Sequence, residues 1–273
     1  MHGAVVPVPP VAADAGAPLV TVGRVSKRYE SRDGSIHALD ELNFELRERE
    51  FLSVVGPSGC GKSTLLMLIS GLMRPTSGEI RIGGRVITRP HTDLGIVFQR
   101  DVLLNWRTVL DNVLLQVELR KLHKRQYEDR ARQLLRLVGL SGFEEKYPHE
   151  LSGGMRQRAA ICRALIHDPP LLLMDEPFGA LDAMTRDQMN LDLLRIWSRS
   201  RKTVFFITHS IPEAVFLSDG IMVMSPRPGR LVARLEIELP RPRHLSVRET
   251  PEFARYTRRI REILQAEGVL VED

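Results

Sequence analysis

Eight residues constrain this chain more than any others: Gly56-Pro57-Ser58-Gly59-Cys60-Gly61-Lys62-Ser63. They fit G-x-x-x-x-G-K-[ST], the phosphate-binding loop. The apolar run Phe51-Leu52-Ser53-Val54-Val55 precedes them and reads as a buried strand. Leu65, Leu66, Leu68, Ile69 and Leu72 follow at helical spacing. Strand, glycine loop and helix are the context the motif needs. Glycines let main-chain N–H groups curl around phosphate oxygens, and the helix N-terminus adds partial positive charge. Lys62 is expected to reach the β- and γ-phosphates, Ser63 to ligate Mg²⁺, and Thr64 to join the nucleotide-binding set. The motif implies a nucleoside triphosphate, not what its energy is used for.

Composition narrows the setting. A 43% hydrophobic content is ample for a core, and 273 residues suit one large domain or two small ones. The net charge of +5 is spread among acids rather than gathered in a block, so nucleic-acid binding is not expected. Two cysteines make no disulfide framework and suit a reducing compartment. No stretch approaches the roughly eighteen apolar residues that a bilayer span needs. Residues 1–18, broken by Pro7, Pro9, Pro10 and Pro18, read as a disordered leader and a poor signal peptide.

Along the chain, Leu19 to Tyr29 reads as a strand, Arg32 to Ser35 as a turn, and Leu42, Phe44 and Leu46 as the apolar face of a second strand. Ile80 to Ile87 reads as a hairpin and Gly95 to Phe98 as a short strand. From about Thr108 to Leu140 the period becomes helical, with Leu134, Leu135, Leu137 and Val138 as the apolar face. A further helix ends between Arg163 and His167, before Pro169-Pro170. Leu171 to Met174, Thr203 to Thr208, Ile221 to Met224 and Leu231 to Leu239 read as strands. Phe253, Tyr256, Ile260, Ile263 and Leu264 stripe a terminal helix. Strands alternating with helices around a phosphate loop predict an α/β phosphate-loop NTPase with a mainly parallel core sheet.

Two more segments carry chemistry. Asp175 and Glu176 end a buried strand; the first suits Mg²⁺ and the second suits deprotonating a water. Leu151-Ser152-Gly153-Gly154 opens a second helix with Ser152 as its N-cap, a second place for an anion.

Taken together these residues resemble the ATP-binding cassette family, the ATPase subunits of ABC transporters. The resemblance covers about residues 19–240. Gln99 matches the Q-loop glutamine, Leu151 to Gly154 the LSGG signature, and Asp175 and Glu176 the Walker B acids. Gly179-Ala180-Leu181-Asp182 resembles the D-loop, His209 the switch histidine, and Tyr29 the aromatic residue that stacks on adenine. Leu151 to Arg158, with Met155 after the signature, and Glu176 through Arg186 resemble the nitrate/sulfonate/taurine importer group. Leu103-Leu104-Asn105-Trp106 also fits, although Asn105 stands where that group usually has proline.

The resemblance implies an ATPase domain at 19–240 with an antiparallel β subdomain and a helical subdomain inserted at about 100–165. A tail at 241–273 carries an amphipathic helix, too short for the regulatory domain of some import ATPases. It implies Glu176 as general base and Lys62, Gln99 and His209 on the γ-phosphate. Ser63, Gln99 and Asp175 would bind Mg²⁺. A second copy would supply Ser152, Gly153 and Gly154 head to tail, and Asp182 would couple the two sites. Leu104 and Trp106 would meet a transmembrane permease at the cytoplasmic side of the membrane, with an extracytoplasmic solute-binding protein as indirect partner. A soluble cassette acting on nucleic acid and an exporter subunit are the alternatives.

Overall fold

The structure, a computed structural model, describes residues 17–31 and 34–269. The leader through residue 16, and Arg32 and Asp33 of the expected turn, lie outside the described residues. In chain order the elements are β1 (Pro18–Ser31), β2 (Gly34–Arg47), β3 (Phe51–Val55), α1 (Lys62–Ile69), β4 (Ser77–Ile82) and β5 (Arg85–Val86). Then come β6 (Leu94–Val97), α2 (Val109–Leu119), α3 (Lys124–Leu137), α4 (Gly153–Leu165), β7 (Leu171–Asp175) and α5 (Ala183–Ser200). The last are β8 (Thr203–Ile207), α6 (Ile211–Leu217), β9 (Gly220–Met224), β10 (Leu231–Glu236) and α7 (Pro251–Ala266). They divide into two compact units: the residues up to Thr92 with those from Thr203 onward, and Asp93–Lys202.

In the first unit β3 lies between β8 and β9, parallel to both, with Leu52 opposite Phe205 and Gly220. Every residue of β3 is buried, as a strand covered on both faces requires. β10 runs antiparallel to β9. A separate antiparallel sheet takes the order β2-β1-β4-β5. Its β2 shows the expected alternation: Leu42, Phe44 and Leu46 buried, Asn43 and Glu45 exposed. Phe44 stacks on Phe205, ring centroids 6.2 Å apart. The Ile80–Ile87 hairpin is present as β4 and β5, with Ile82 opposite Arg85.

Several expected boundaries shift in this unit; β8 stops at Ile207, one residue before Thr208, and β9 starts at Gly220, one before Ile221. β1 begins at Pro18, one residue before the predicted start. α1 stops at Ile69, because Gly71 turns with φ 73°. A Cβ there would lie 2.2 Å from Arg89 O, so only glycine fits, and Leu72 leaves the apolar stripe for solvent. β10 ends at Glu236 rather than Leu239. The carbonyls of Ile237 and Leu239 go instead to Arg243 Nη2, at 3.4 and 3.1 Å.

Arg243 is 5% exposed, and its Nη1 also donates to Val215, Phe216 and Ser218 carbonyls at 3.2, 3.0 and 2.8 Å. These are carbonyls that α6 cannot satisfy internally at its C-terminal end. Burial, with Arg241 nearby, brings the Arg243 pKa down to about 10. α7 buries Phe253, Ile260 and Leu264.

In the second unit β6 and β7 pair in parallel, with Val97 opposite Met174. α2, α3 and α4 pack on one another. Leu135 and Val138 are buried, while Leu134 and Leu137 are half-buried. α5, the longest helix described, was not read from the sequence. Its signal is Met189, Leu193, Ile196 and Trp197, all buried and one helical stripe apart. No described helix is long and apolar enough to cross a membrane.

Candidate functional site

The first unit carries the phosphate loop. β3 delivers the chain to Gly56 and α1 starts at Lys62. Gly61 occupies the N-cap with φ 106°, so no side chain caps the first turn, and no acid lies in that turn. Its N–H groups are therefore suited to an anion. A Cβ on Gly61 would come 2.5 Å from Leu39 Cδ2 and 3.1 Å from Ala38 O. Lys62 is 6% exposed, its Nζ donating to Gly56 O and Pro57 O at 2.9 Å each. The cation is thus curled inside the loop. Burial pushes the Cys60 thiol above its ordinary pKa, opposed by the Lys62 charge, so Cys60 is an apolar plug.

The loop is backed by the turn after β9. A Cβ on Gly229 would lie 2.0 Å from Cys60 O, and Arg227 Nε and Nη2 donate to Gly59 O at 3.3 and 3.4 Å. Ser63 is exposed at the start of α1. Tyr29 Oη and Thr64 Oγ1 share a hydrogen bond of 3.1 Å, which brings Tyr29 against α1. Lys27 Nζ lies 5.3 Å from the Tyr29 ring centroid. His209 is exposed at the corner between β8 and α6. Thr208 Oγ1, which accepts from Ser210 N at 3.0 Å, and Ser210, which caps α6 through Glu213 N, hold that corner. Val54 pairs with Ile207, so Gly56 and His209 emerge two residues on, at the same end of adjacent parallel strands.

The second unit repeats this layout. Val97 pairs with Met174, so Gln99 and Glu176 also lie two residues beyond a parallel pair. Strand C-terminal ends are where open α/β sheets gather ligand-binding residues. Asp175 closes β7, and Glu176 takes φ 44°, a left-handed backbone that non-glycine residues adopt only under constraint. Ser152 caps α4, its Oγ accepting from Met155 N at 3.3 Å. Gly154 is tight: a Cβ would meet Thr185 Cγ2 at 2.8 Å. Asp182 caps α5 by accepting from Thr185 N at 3.0 Å. Hydrogen bonds from Thr185 hold its carboxyl below the ordinary range.

The chain on both sides of Gln99 is tied to α4. Phe98 O accepts from Gln157 Nε2 at 3.3 Å, and Asp101 Oδ2 accepts from Arg156 Nε at 2.9 Å. Leu104, half-buried, exchanges hydrogen bonds with buried Asn112. Trp106 is 74% exposed.

A family model described as ABC transporter matches residues 39–179. The chain belongs to the ABC transporter family. As a member it is an ATP-binding, ATP-hydrolysing cassette. It is 48% identical over 246 residues to an ABC transporter ATP-binding protein of Methanocaldococcus jannaschii, covering 90% of this chain and 91% of that one. It is 47% identical over 254 residues to the taurine import ATP-binding protein TauB of Rhizobium johnstonii, covering 91% and 97%. It is 45% identical over 224 residues to the aliphatic sulfonates import ATP-binding protein SsuB of Bacillus cereus, covering 82% and 88%. Among solved structures, a dimeric bacterial ABC transporter cassette superposes with a TM-score of 0.71 at 32% identity, covering 81% of this chain and all of the other.

The signature stretch Leu151 to Arg158 includes Arg156 and Arg158, but the motif gives no role to these arginines, nor to Arg163 or Arg227. Arg156, Arg163 and Arg227 each hold main-chain carbonyls of or near the motif segments, and Arg158 holds Val138 O after α3. Their partners lie 5 to 168 positions away, so spacing alone carries no signal for them. A hint lay in α4 itself, where Arg156 and Arg163 stand seven apart on one helix face.

Proposed function

We propose that this ABC cassette is the ATP-hydrolysing subunit of an importer for a small solute of the nitrate, sulfonate or taurine kind. The observation that carries the nucleotide reading is the uncapped, acid-free N-terminus of α1 with Lys62 curled beside it. The relatives named taurine and aliphatic sulfonate import proteins support the importer.

In this reading main-chain N–H groups of Gly56 to Thr64 and the Lys62 ammonium hold the β- and γ-phosphates, with Tyr29 against adenine. Gln99 and His209 hold the γ-phosphate from the ends of their strands. Ser63, Asp175 and Gln99 would hold Mg²⁺. Among the described residues no group of three His, Cys, Asp or Glu side chains is arranged for a metal, and a single carboxylate with phosphates and waters would suit Mg²⁺. Bound there, Mg²⁺ would neutralise phosphate charge. Glu176 takes a proton from the attacking water. The water oxygen bonds to the γ-phosphorus, the bond to the β-phosphate oxygen breaks, and ADP and phosphate leave.

A second copy supplies Ser152, Gly153 and Gly154, so a complete site needs two chains, and Asp182 links the two sites. ATP favours the paired state and its hydrolysis removes that preference. The dimeric form of the similar cassette supports this pairing. Exposed Trp106 and the neighbouring Leu104 meet a transmembrane permease, which places the cassette peripherally on the cytoplasmic face of the membrane. A solute-binding protein on the other side delivers the solute.

Glu176→Gln tests the reading. The variant is expected to bind ATP, to lose about 10²–10⁴-fold in turnover, and to elute as a dimer with ATP on size-exclusion chromatography. Turnover at the wild-type rate would remove Glu176 from the chemistry.

A further inference from the structure

Val102 has φ 49°, a conformation that a β-branched residue takes only when something holds it there. Its side chain is not what holds it, since Val102 is 55% exposed. The constraint comes from α4. Arg163 Nη1 donates to Val102 O and Nη2 to Asp101 O, both at 2.7 Å. Two turns earlier on the same helix, Arg156 Nε donates to Asp101 Oδ2 at 2.9 Å while its Nη1 donates to Leu151 O at 2.7 Å. The other Asp101 oxygen accepts from Leu103 N at 3.2 Å. One guanidinium therefore grips both the residue before the Ser152 cap and a residue two positions after Gln99. The partners are only partly exposed, 36% and 28%, which limits screening of the pair.

We infer that Arg156 and Arg163 are positioning residues: they latch the segment after Gln99 to the helix that begins at Ser152, so that a shift in either is imposed on the other. This rests on the proposed roles of Gln99 and the Ser152–Gly154 turn, and adds the mechanical link between them. Strain at Val102 gives the latch a direction. The segment's shape is dictated by α4 and would relax if the arginines let go.

The test is a charge swap on the full-length chain with MgATP. Arg156→Ala and Asp101→Ala are each expected to lower kcat about 10-fold with KM for ATP changed less than about 2-fold, because the phosphate loop is untouched. The double variant Asp101→Arg/Arg156→Asp should recover to at least about one third of wild-type kcat, the non-additivity expected of a direct pair. Hydrogen exchange of the amides at 99–107 should accelerate about 10-fold in each single variant and return towards wild type in the swap. Unchanged exchange in the single variants, a swap no better than the worse single variant, or a KM rise matching the loss of kcat would each overturn the latch. A wild-type chain that does not turn over ATP would sink the proposed function instead, and exchange would still decide the latch.

Discussion

The two units hold their motif segments with different materials. The phosphate loop is set mostly by main chain and close contact: Gly61 against Leu39, Gly229 against Cys60, and Lys62 bonded to the loop's own carbonyls, with Arg227 adding a side-chain hold on Gly59 O. The chain around Gln99 and the start of α4 are set mostly by long side chains, Arg156, Gln157, Arg158, Arg163 and Asn112, although Gly154 is in close contact with Thr185. Contacts of the first kind have no slack, since a single added methyl has nowhere to go. Contacts of the second kind can be remade in new geometries. A loop that must fit one fixed group suits the first, and a segment that must shift with its neighbours suits the second.

The sharpest way to break this contrast is Gly61→Ala. The added Cβ collides with Leu39 and sits at φ 106°, so ATP affinity is expected to fall more than about 100-fold by isothermal titration. Near-normal binding would mean that the loop has slack after all. Next is Arg158→Ala, on the side-chain-built half. Arg158 Nη2 pairs with buried Asp192 at 3.0 Å and Nη1 donates to Val138 O at 3.1 Å. Leaving Asp192 buried with one cation fewer should cost about 3 kcal/mol, about 6–12 °C in melting temperature. A loss below about 1 kcal/mol would show that α4 and α5 are held by packing alone.

The smallest effect is a pH dependence in the same unit. Burial first, and the Arg120 charge second, lower the His167 pKa to about 4 from an ordinary 6.5. The unfolded chain therefore takes up this proton before the folded one does. The contribution is constant above about pH 6.5 and is lost progressively as pH falls from 6.5 towards 4. The ring is only half buried, so about 1 kcal/mol is expected after screening, about 2–4 °C. His167→Gln should flatten that part of the stability–pH curve, and an unchanged slope would clear His167.

This contrast also explains what could be read from the chain. Short-range devices leave local signatures: Gly56 to Ser63, the buried run before them, and the Ser152 cap with its helix are each contiguous. The strands Phe51–Val55 and Leu171–Asp175 were legible because both faces are covered and the apolar run is unbroken. Long-range side-chain devices leave none, because an arginine does not announce which carbonyl it will meet. Asp101 and Arg156 are 55 residues apart, and Arg227 reaches Gly59 across 168. α5 is less legible for another reason: its first turns, after the Asp182 cap, are mostly polar, and its apolar stripe begins only at Met189. The strain at Val102 and Glu176 was beyond any reading of propensity, since both residues are ordinary in type and unusual only in backbone.

Arg243 has a practical bearing on handling the protein. A protease site introduced just after Leu239 would cut the chain ahead of Arg241 and Arg243, the two guanidiniums that close the end of α6, the helix directly downstream of His209. Tags are better joined beyond Val269, since Glu267, Gly268 and Val269 close the end of α7.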